Sequence, residues 1–196
     1  ELSADGVKQV ALTLHVGLGT FRPVKDSIAN HEMHNEPIHI SAQQLQMLSQ
    51  NTDRPWVVVG TTTLRALESL YVFAEKMSIG KCSPSNEFTI EQWDKWHSAN
   101  QLSRHDAFSM LAELAEKNQQ GLSGNTSLCI VKGRPVQSAD YLITNFHQPK
   151  STLLMLVDAF ASEDWKDAYS FAKEHNMRFL SYGDACLFKN KFKQGR

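Results

Sequence analysis

The sequence predicts an α/β fold, a mostly parallel sheet with helices on both faces. Four segments repeat one grammar, in which an apolar or β-branched run feeds a polar turn. Helical patterns lie between these runs, leaving room for crossovers, and strands alternating with helices at such spacing form parallel sheets covered on both sides. The 196 residues suffice to bury one sizeable core. The expectation is a single α/β domain of catalytic type over residues 1–196, with a partly helical insertion at 81–123.

In "VKQVALTLHVGLGTF" a strand is expected from about Val10 to Val16, ending in a Gly17-Leu18-Gly19 turn because glycine takes positive φ at little cost. "HISAQQLQMLSQ" predicts a helix with Ser41 and Gln44 at capping-box positions. In "WVVVGTTTLRALESLYVFAEK", Trp56 to Val59 reads as a buried strand. Gly60 and a threonine N-cap then open a helix whose Leu64, Leu67, Tyr71 and Ala74 mark one apolar face. The stretch from Lys81 onward is richer in Pro, Ser and Asn and then carries the helical pattern "HDAFSMLAELAEKNQQG". In "YLITNFHQPKSTLLMLVDAFA" a strand gives way to a polar knot and then to a helix, capped by Ser151 or Thr152, that is apolar on nearly every side and so packs inside. "MRFLSYGDACLF" reads as two short strands flanking a Ser181–Asp184 turn. No internal repeat or low-complexity tract is present, and Glu1 falls in what reads as a helix end, so a fragment of a longer protein is expected.

Composition narrows the function. A formal net charge of −1 gives no general attraction to nucleic acid, so any RNA contact must be local. Lys189, Lys191, Lys193 and Arg196 supply either such a strip or a solvated tail. Cys82, Cys129 and Cys186 are far apart and lack CxxC spacing, which argues against a disulfide framework or cysteine-rich zinc site and fits a reducing cytoplasm. No run approaches a membrane span, and no signal-peptide pattern opens the chain.

Five polar constellations are candidates for chemistry. At "GTTTLR" the N–H groups of a helix start have no partners within the helix and favour a phosphate or carboxylate; Thr61, Thr62 and Thr63 add hydroxyls, and Arg65 offers a bidentate contact or faces water. "GLGTF" lacks the rest of a dinucleotide fingerprint and reads first as a tight turn. "NHEMHNEP" carries His31, Glu32, His34 and Glu36, which suit acid/base work, a metal site or an exposed polar loop; HExxH spacing is absent and Pro37 limits any helix to about one turn. In "TNFHQPKS", Asn145 and His147 could orient a sugar or base on which Phe146 stacks, or all three could be structural. "SYGD" adds Tyr182 and Asp184, the latter an acceptor for ribose hydroxyls or a turn brace.

Taken together, "TLHVGLGTFRPV", "HEMHNE", "VGTTTLRALES", "TNFHQPKSTLLMLVDAFA" and "RFLSYGDA" closely resemble the motifs of the S-adenosylmethionine:tRNA ribosyltransferase-isomerase family of queuosine biosynthesis, across about residues 7–80 and 124–188. The resemblance implies a cytoplasmic enzyme. It moves the ribosyl part of S-adenosylmethionine onto 7-aminomethyl-7-deazaguanine in tRNA and rearranges it, giving epoxyqueuosine with release of adenine and methionine. S-adenosylmethionine is then a substrate, tRNA a partner, and neither metal nor redox cofactor is implied. The reaction needs a base for the C5′ proton beside the sulfonium, an acid for departing adenine and an anchor for the methionine carboxylate. The implied proton-transfer residues are His31, His34 and Glu36 with His15 or His147. Thr61–Thr63 with Arg65 take the carboxylate, and Phe21, Phe146 or Tyr182 face the sulfonium. Gly17, Gly19, Asn145 and Asp184 complete the expected substrate-binding set.

The chain departs from the family pattern at Gln148, usually leucine, at Asp158, usually serine, in "KGRPV", where a Pro-Gly-aromatic signature is usual, and in its long 81–123 connection. The family's large N-terminal region is missing from it. The alternatives are a non-catalytic nucleoside- or tRNA-binding paralogue and a metal-dependent hydrolase using His31 and His34.

Overall fold

The computed structural model describes residues 2–15, 28, 31–94 and 102–192. In chain order the elements are β1 (Thr13–Leu14), β2 (Glu36–Ile40), α1 (Ala42–Ser49), β3 (Val57–Val59), α2 (Thr61–Ser78), β4 (Glu87–Ile90), α3 (Arg104–Lys117), β5 (Leu122–Thr126), β6 (Tyr141–Asn145), α4 (Thr152–Ala161), α5 (Asp164–Glu174), a 3₁₀ turn (Leu180–Tyr182) and β7 (Ala185–Lys189).

The strands form two small mixed sheets rather than one mostly parallel sheet. One sheet has the order β1-β2-β5-β4 and the other β3-β6-β7. β4 runs parallel to β5 and β3 to β6, whereas the β1/β2, β2/β5 and β6/β7 pairs are antiparallel. The reason is visible in β2, where Glu36, Ile38 and Ile40 are buried while Pro37 and His39 are exposed. Such alternation suits a sheet with one covered face; strands of a doubly covered parallel sheet are apolar on both. The expected buried strand at Trp56–Val59 differs likewise, since Val58 is buried but Val57 and Val59 are exposed.

Helix α2 touches strands of both sheets as well as α3 and α4. It was expected to show one apolar face, yet every residue from Leu64 to Glu75 is buried. Enclosure on all sides forces its charged residues to find internal partners. Glu68, fully buried, accepts the backbone N–H groups of Gln137 and Ser138 and the Ser138 hydroxyl at 2.7–3.1 Å, tying the segment before β6 to the helix. Ser69 meets Thr126 of β5 at 2.7 Å.

The 81–123 segment supplies both β4 and α3, whose Ala107, Phe108, Leu111 and Ala115 are fully buried. Phe88 of β4 stacks on Phe73 of α2 with centroids 4.9 Å apart, a fit that requires Gly124, where a Cβ would stand 2.6 Å from the Phe88 ring. The capping box predicted for α1 is present, with Ser41 and Gln44 each accepting the other's backbone N–H. α4 is capped by the Ser151 hydroxyl and buries Leu153, Leu156, Val157 and Phe160. Of the two strands expected in "MRFLSYGDACLF", only β7 forms. The approach to it is held instead by Leu180 N–H donating to the Phe146 carbonyl at 2.8 Å and by Phe179 packing on Phe146 and Tyr169.

Candidate functional site

At the start of α2 the chain leaves β3 through Gly60, whose φ of +91° places it where other residues are strained. Gly60, not a threonine, is the N-cap, and no side chain caps the helix. Thr61, Thr62 and Thr63 occupy the first turn, so their N–H groups and the positive end of the helix dipole remain available to an anion. One turn further on, Arg65 is ion-paired with Glu36 of β2. Both are buried, at 6% and 1% exposure. Arg65 Nε has no hydrogen-bond partner among the described residues.

These groups border an open cavity of about 290 Å³, its mouth included, lined by Met33, Thr61, Thr62, Arg65, the 128–130 segment, Thr152, Leu153 and Leu156. The starts of α2 and α4 therefore both reach it. Cys129 on its wall is buried, which pushes its thiol up and keeps it protonated.

The loop before β2 forms another wall. Gln92, just beyond β4, grips it from both sides: its side-chain carbonyl accepts the Met33 N–H at 3.0 Å, and its amide donates to the His31 carbonyl at 2.6 Å. The same residue's backbone carbonyl accepts the Cys129 N–H at 2.9 Å. Sequence reasoning missed Gln92 because a single glutamine in a segment read as an insertion carries no pattern. His34 is partly buried beside Met33, and its Nε2 has no partner among the described residues. His15 is exposed at the end of β1, where its N–H donates to the Pro37 carbonyl at 3.3 Å. Gly17, Gly19 and Phe21 lie outside the described residues.

The end of β6 is a separate cluster, none of whose residues borders the cavity. His147 is buried. Its ring shares a hydrogen bond with the Thr144 hydroxyl at 2.8 Å and its N–H donates to the Tyr169 hydroxyl at 2.7 Å. Burial pulls the imidazole down to about 4 and pushes Tyr169 up to about 12, so both are neutral at pH 7. Phe146 is enclosed by Tyr169 and Phe179, with centroids 5.2 and 5.3 Å away. Asn145 donates to the Asp184 carbonyl at 3.0 Å. The Asp184 carboxylate accepts from the Arg178 backbone and guanidinium, which holds it below the usual range. Tyr182 is exposed. Of the positions departing from the family pattern, Asp158 accepts the Trp165 indole N–H at 2.7 Å.

No three His, Cys, Asp or Glu side chains among the described residues come together as a metal site, and no described helix is long and apolar enough to cross a membrane.

What kind of protein carries this arrangement is answered by comparison. The sequence pattern of the family described as queuosine biosynthesis protein matches residues 1–188. The chain is 36% identical over 191 residues to the S-adenosylmethionine:tRNA ribosyltransferase-isomerase of Gluconobacter oxydans (strain 621H), covering 96% of this chain and 43% of that protein. It is 36% identical over 194 residues to the protein of the same name from Paraburkholderia xenovorans (strain LB400), covering 97% and 44%. A crystal structure of S-adenosylmethionine tRNA ribosyltransferase from Thermotoga maritima aligns over 78% of this chain and 40% of that one, with 29% identity and a TM-score of 0.49. The chain belongs to the queuosine biosynthesis protein family, and it spans less than half the length of these curated relatives.

Proposed function

We propose that this chain forms the S-adenosylmethionine side of a tRNA ribosyltransferase-isomerase site, and that the cavity at the start of α2 takes the amino-acid end of that substrate. The observation that carries this is the uncapped first turn of α2 beside buried Arg65, whose Nε is unpartnered among the described residues. Free N–H groups, threonine hydroxyls and a guanidinium are the donor set a carboxylate needs. Glu36 acts here by holding Arg65. It neutralises the guanidinium in the resting site and fixes its orientation, so the donors are preorganised.

The relatives' name supports the wider reading: transfer of the ribosyl group to a 7-aminomethyl-7-deazaguanine base in tRNA, with isomerisation to the epoxycyclopentane and loss of adenine and methionine. Removal of the C5′ proton is assigned to His34, on the loop that Gln92 holds at the cavity wall and that also carries His31. In this reading the His147 cluster positions the β6–α4 turn instead of touching substrate. Tyr182, exposed, remains available to a base or sulfonium arriving from outside.

The test is calorimetry with S-adenosylmethionine and with its decarboxylated analogue, followed by an adenine-release assay with substrate tRNA. The reading expects the analogue to bind at least ~10-fold more weakly to wild type and Arg65→Ala to abolish the difference. Equal affinity for both compounds would remove the carboxylate assignment. Binding without adenine release would favour a non-catalytic nucleoside-binding paralogue.

A further inference from the structure

The fold holds one indole at the surface on a fixed mount. Of the tryptophans among the described residues, Trp56 donates to the Asn51 carbonyl at 2.9 Å and faces the Arg104 guanidinium, and Trp165 donates to Asp158 at 2.7 Å against the Tyr169 ring. Trp93, in the turn after β4, is 42% exposed, and its indole has neither a ring nor a hydrogen-bond partner among the described residues. A lone exposed apolar side chain is ordinary, but the backbone under this one is tied down on both sides. Asp94 N–H closes the turn on the Glu91 carbonyl at 3.2 Å, and the Asp94 carboxylate accepts the Glu91 N–H at 2.9 Å and pairs with Lys76 of α2 at 2.7 Å. Buried Arg134 donates to both the Asp94 and the Cys129 carbonyls. Gln92 grips the backbone of His31 and Met33 with its side chain and accepts the Cys129 N–H with its carbonyl. Met33 and Cys129 line the cavity at the start of α2. The residue before the indole is therefore bonded to two cavity walls, and the residue after it is joined to one of them through Arg134.

We propose that Trp93 is the stacking surface for the adenine ring of S-adenosylmethionine, at the rim of the cavity that takes the amino-acid end. The inference rests on that reading of the cavity and names the side chain that receives the opposite end of the same molecule. An adenine ring presents a flat π face, and an indole covers such a face with a large, rigid area. Stacking gains most when its platform is ordered before the ligand arrives, because immobilising a loose turn on binding would offset the gain. The bonds around Glu91–Asp94 supply that order in the folded chain.

The test is calorimetry on the full chain with three probes: S-adenosylmethionine, 5′-methylthioadenosine, which lacks the amino-acid end, and L-methionine, which lacks the adenosine. Trp93→Ala is expected to weaken S-adenosylmethionine and 5′-methylthioadenosine about 10-fold or more and to leave L-methionine within about twofold. Trp93→Phe keeps a flat ring and is expected to bring both nucleosides back to within about threefold of wild type. Because the indole is exposed, wild type and both variants are expected to share one urea midpoint. R65M/E36L should do the converse, losing L-methionine while retaining 5′-methylthioadenosine. The proposal is overturned if wild type does not bind 5′-methylthioadenosine, if Trp93→Ala binds it like wild type, if Trp93→Phe gives no rescue, or if the loss in Trp93→Ala is confined to substrate tRNA. Retention of L-methionine by R65M/E36L, with 5′-methylthioadenosine still dependent on Trp93, removes the carboxylate assignment and upholds the stack.

Discussion

The start of α2 and the end of β6 both place polar side chains where a strand meets a helix, and they use them in opposite ways. At the end of β6 each polar group has a partner: His147 with Thr144 and Tyr169, Asn145 with the Asp184 carbonyl, Asp184 with Arg178. At the start of α2 no side chain caps the helix, and Arg65 Nε and His34 Nε2 are buried without hydrogen bonds among the described residues. Buried donors left over by the fold are costly, and a protein keeps them where a ligand will use them. A cluster that satisfies itself is a brace.

The sharpest way to break this comparison is at the ion pair. Arg65→Ala removes the cation paired with buried Glu36, and the expected loss is about 3–5 kcal/mol of stability in urea unfolding. The apolar pair R65M/E36L should recover most of that stability while failing to bind S-adenosylmethionine. If R65M/E36L binds like wild type, the donors at the start of α2 are structural too.

At the other cluster the signature is pH. The His147 pKa is depressed to about 4 in the folded chain, against about 6.5 when unfolded, so above pH 6.5 the ring is neutral in both states and folding keeps its full benefit. As pH falls from 6.5 towards 4 the unfolded chain takes up the proton first, and stability drops by up to about 3 kcal/mol. Urea midpoints measured across that window should show the loss in wild type and a flatter profile in His147→Gln. The same variant should leave S-adenosylmethionine affinity at pH 7 within about twofold, because the ring lies away from the cavity.

A smaller effect separates the wall of the cavity from its floor. Gln92→Ala removes two hydrogen bonds to the loop carrying His34. It should cost about 1–2 kcal/mol in stability and raise KM about 10-fold or less in adenine release. Smallest of all, Asn145→Ala should lower stability by about 1 kcal/mol without altering ligand affinity. A larger change in affinity than in stability for Asn145→Ala would move the end of β6 back into the binding site.

Local signals in the sequence were reliable where a single turn decides the outcome. The Ser41/Gln44 capping box, the Ser151 cap and the fully apolar α4 follow from side chains interacting with neighbours three or four residues away. The polar stretches around Thr61 and His34 were also readable, and the fold does bring their walls together at one cavity. What the sequence did not state was pairing across distance. "WVVVG" looks like a strand buried on both faces, but Val57 and Val59 are exposed while Trp56 and Val58 are buried. Nothing in "TNFHQ" states that the His147 backbone N–H donates to Tyr169, 22 residues on. "EQWD" looks like insertion, yet Gln92 spans 61 positions to hold His31.

By itself the sequence determined the helices α1 to α4, the strands β3, β6 and β7, where the polar turns would lie, and the family to which the chain belongs, but not β2, β4, β5 or α5. Those properties depend on residue order over short range, which the chain states directly. Only the tertiary structure decided the mixed sheets, the burial of α2 on all sides and the division of the polar turns into one set with open donors and one without. A hydrogen-bonding group looks the same in the sequence whether or not it will find a partner; that depends on which distant segment is folded against it.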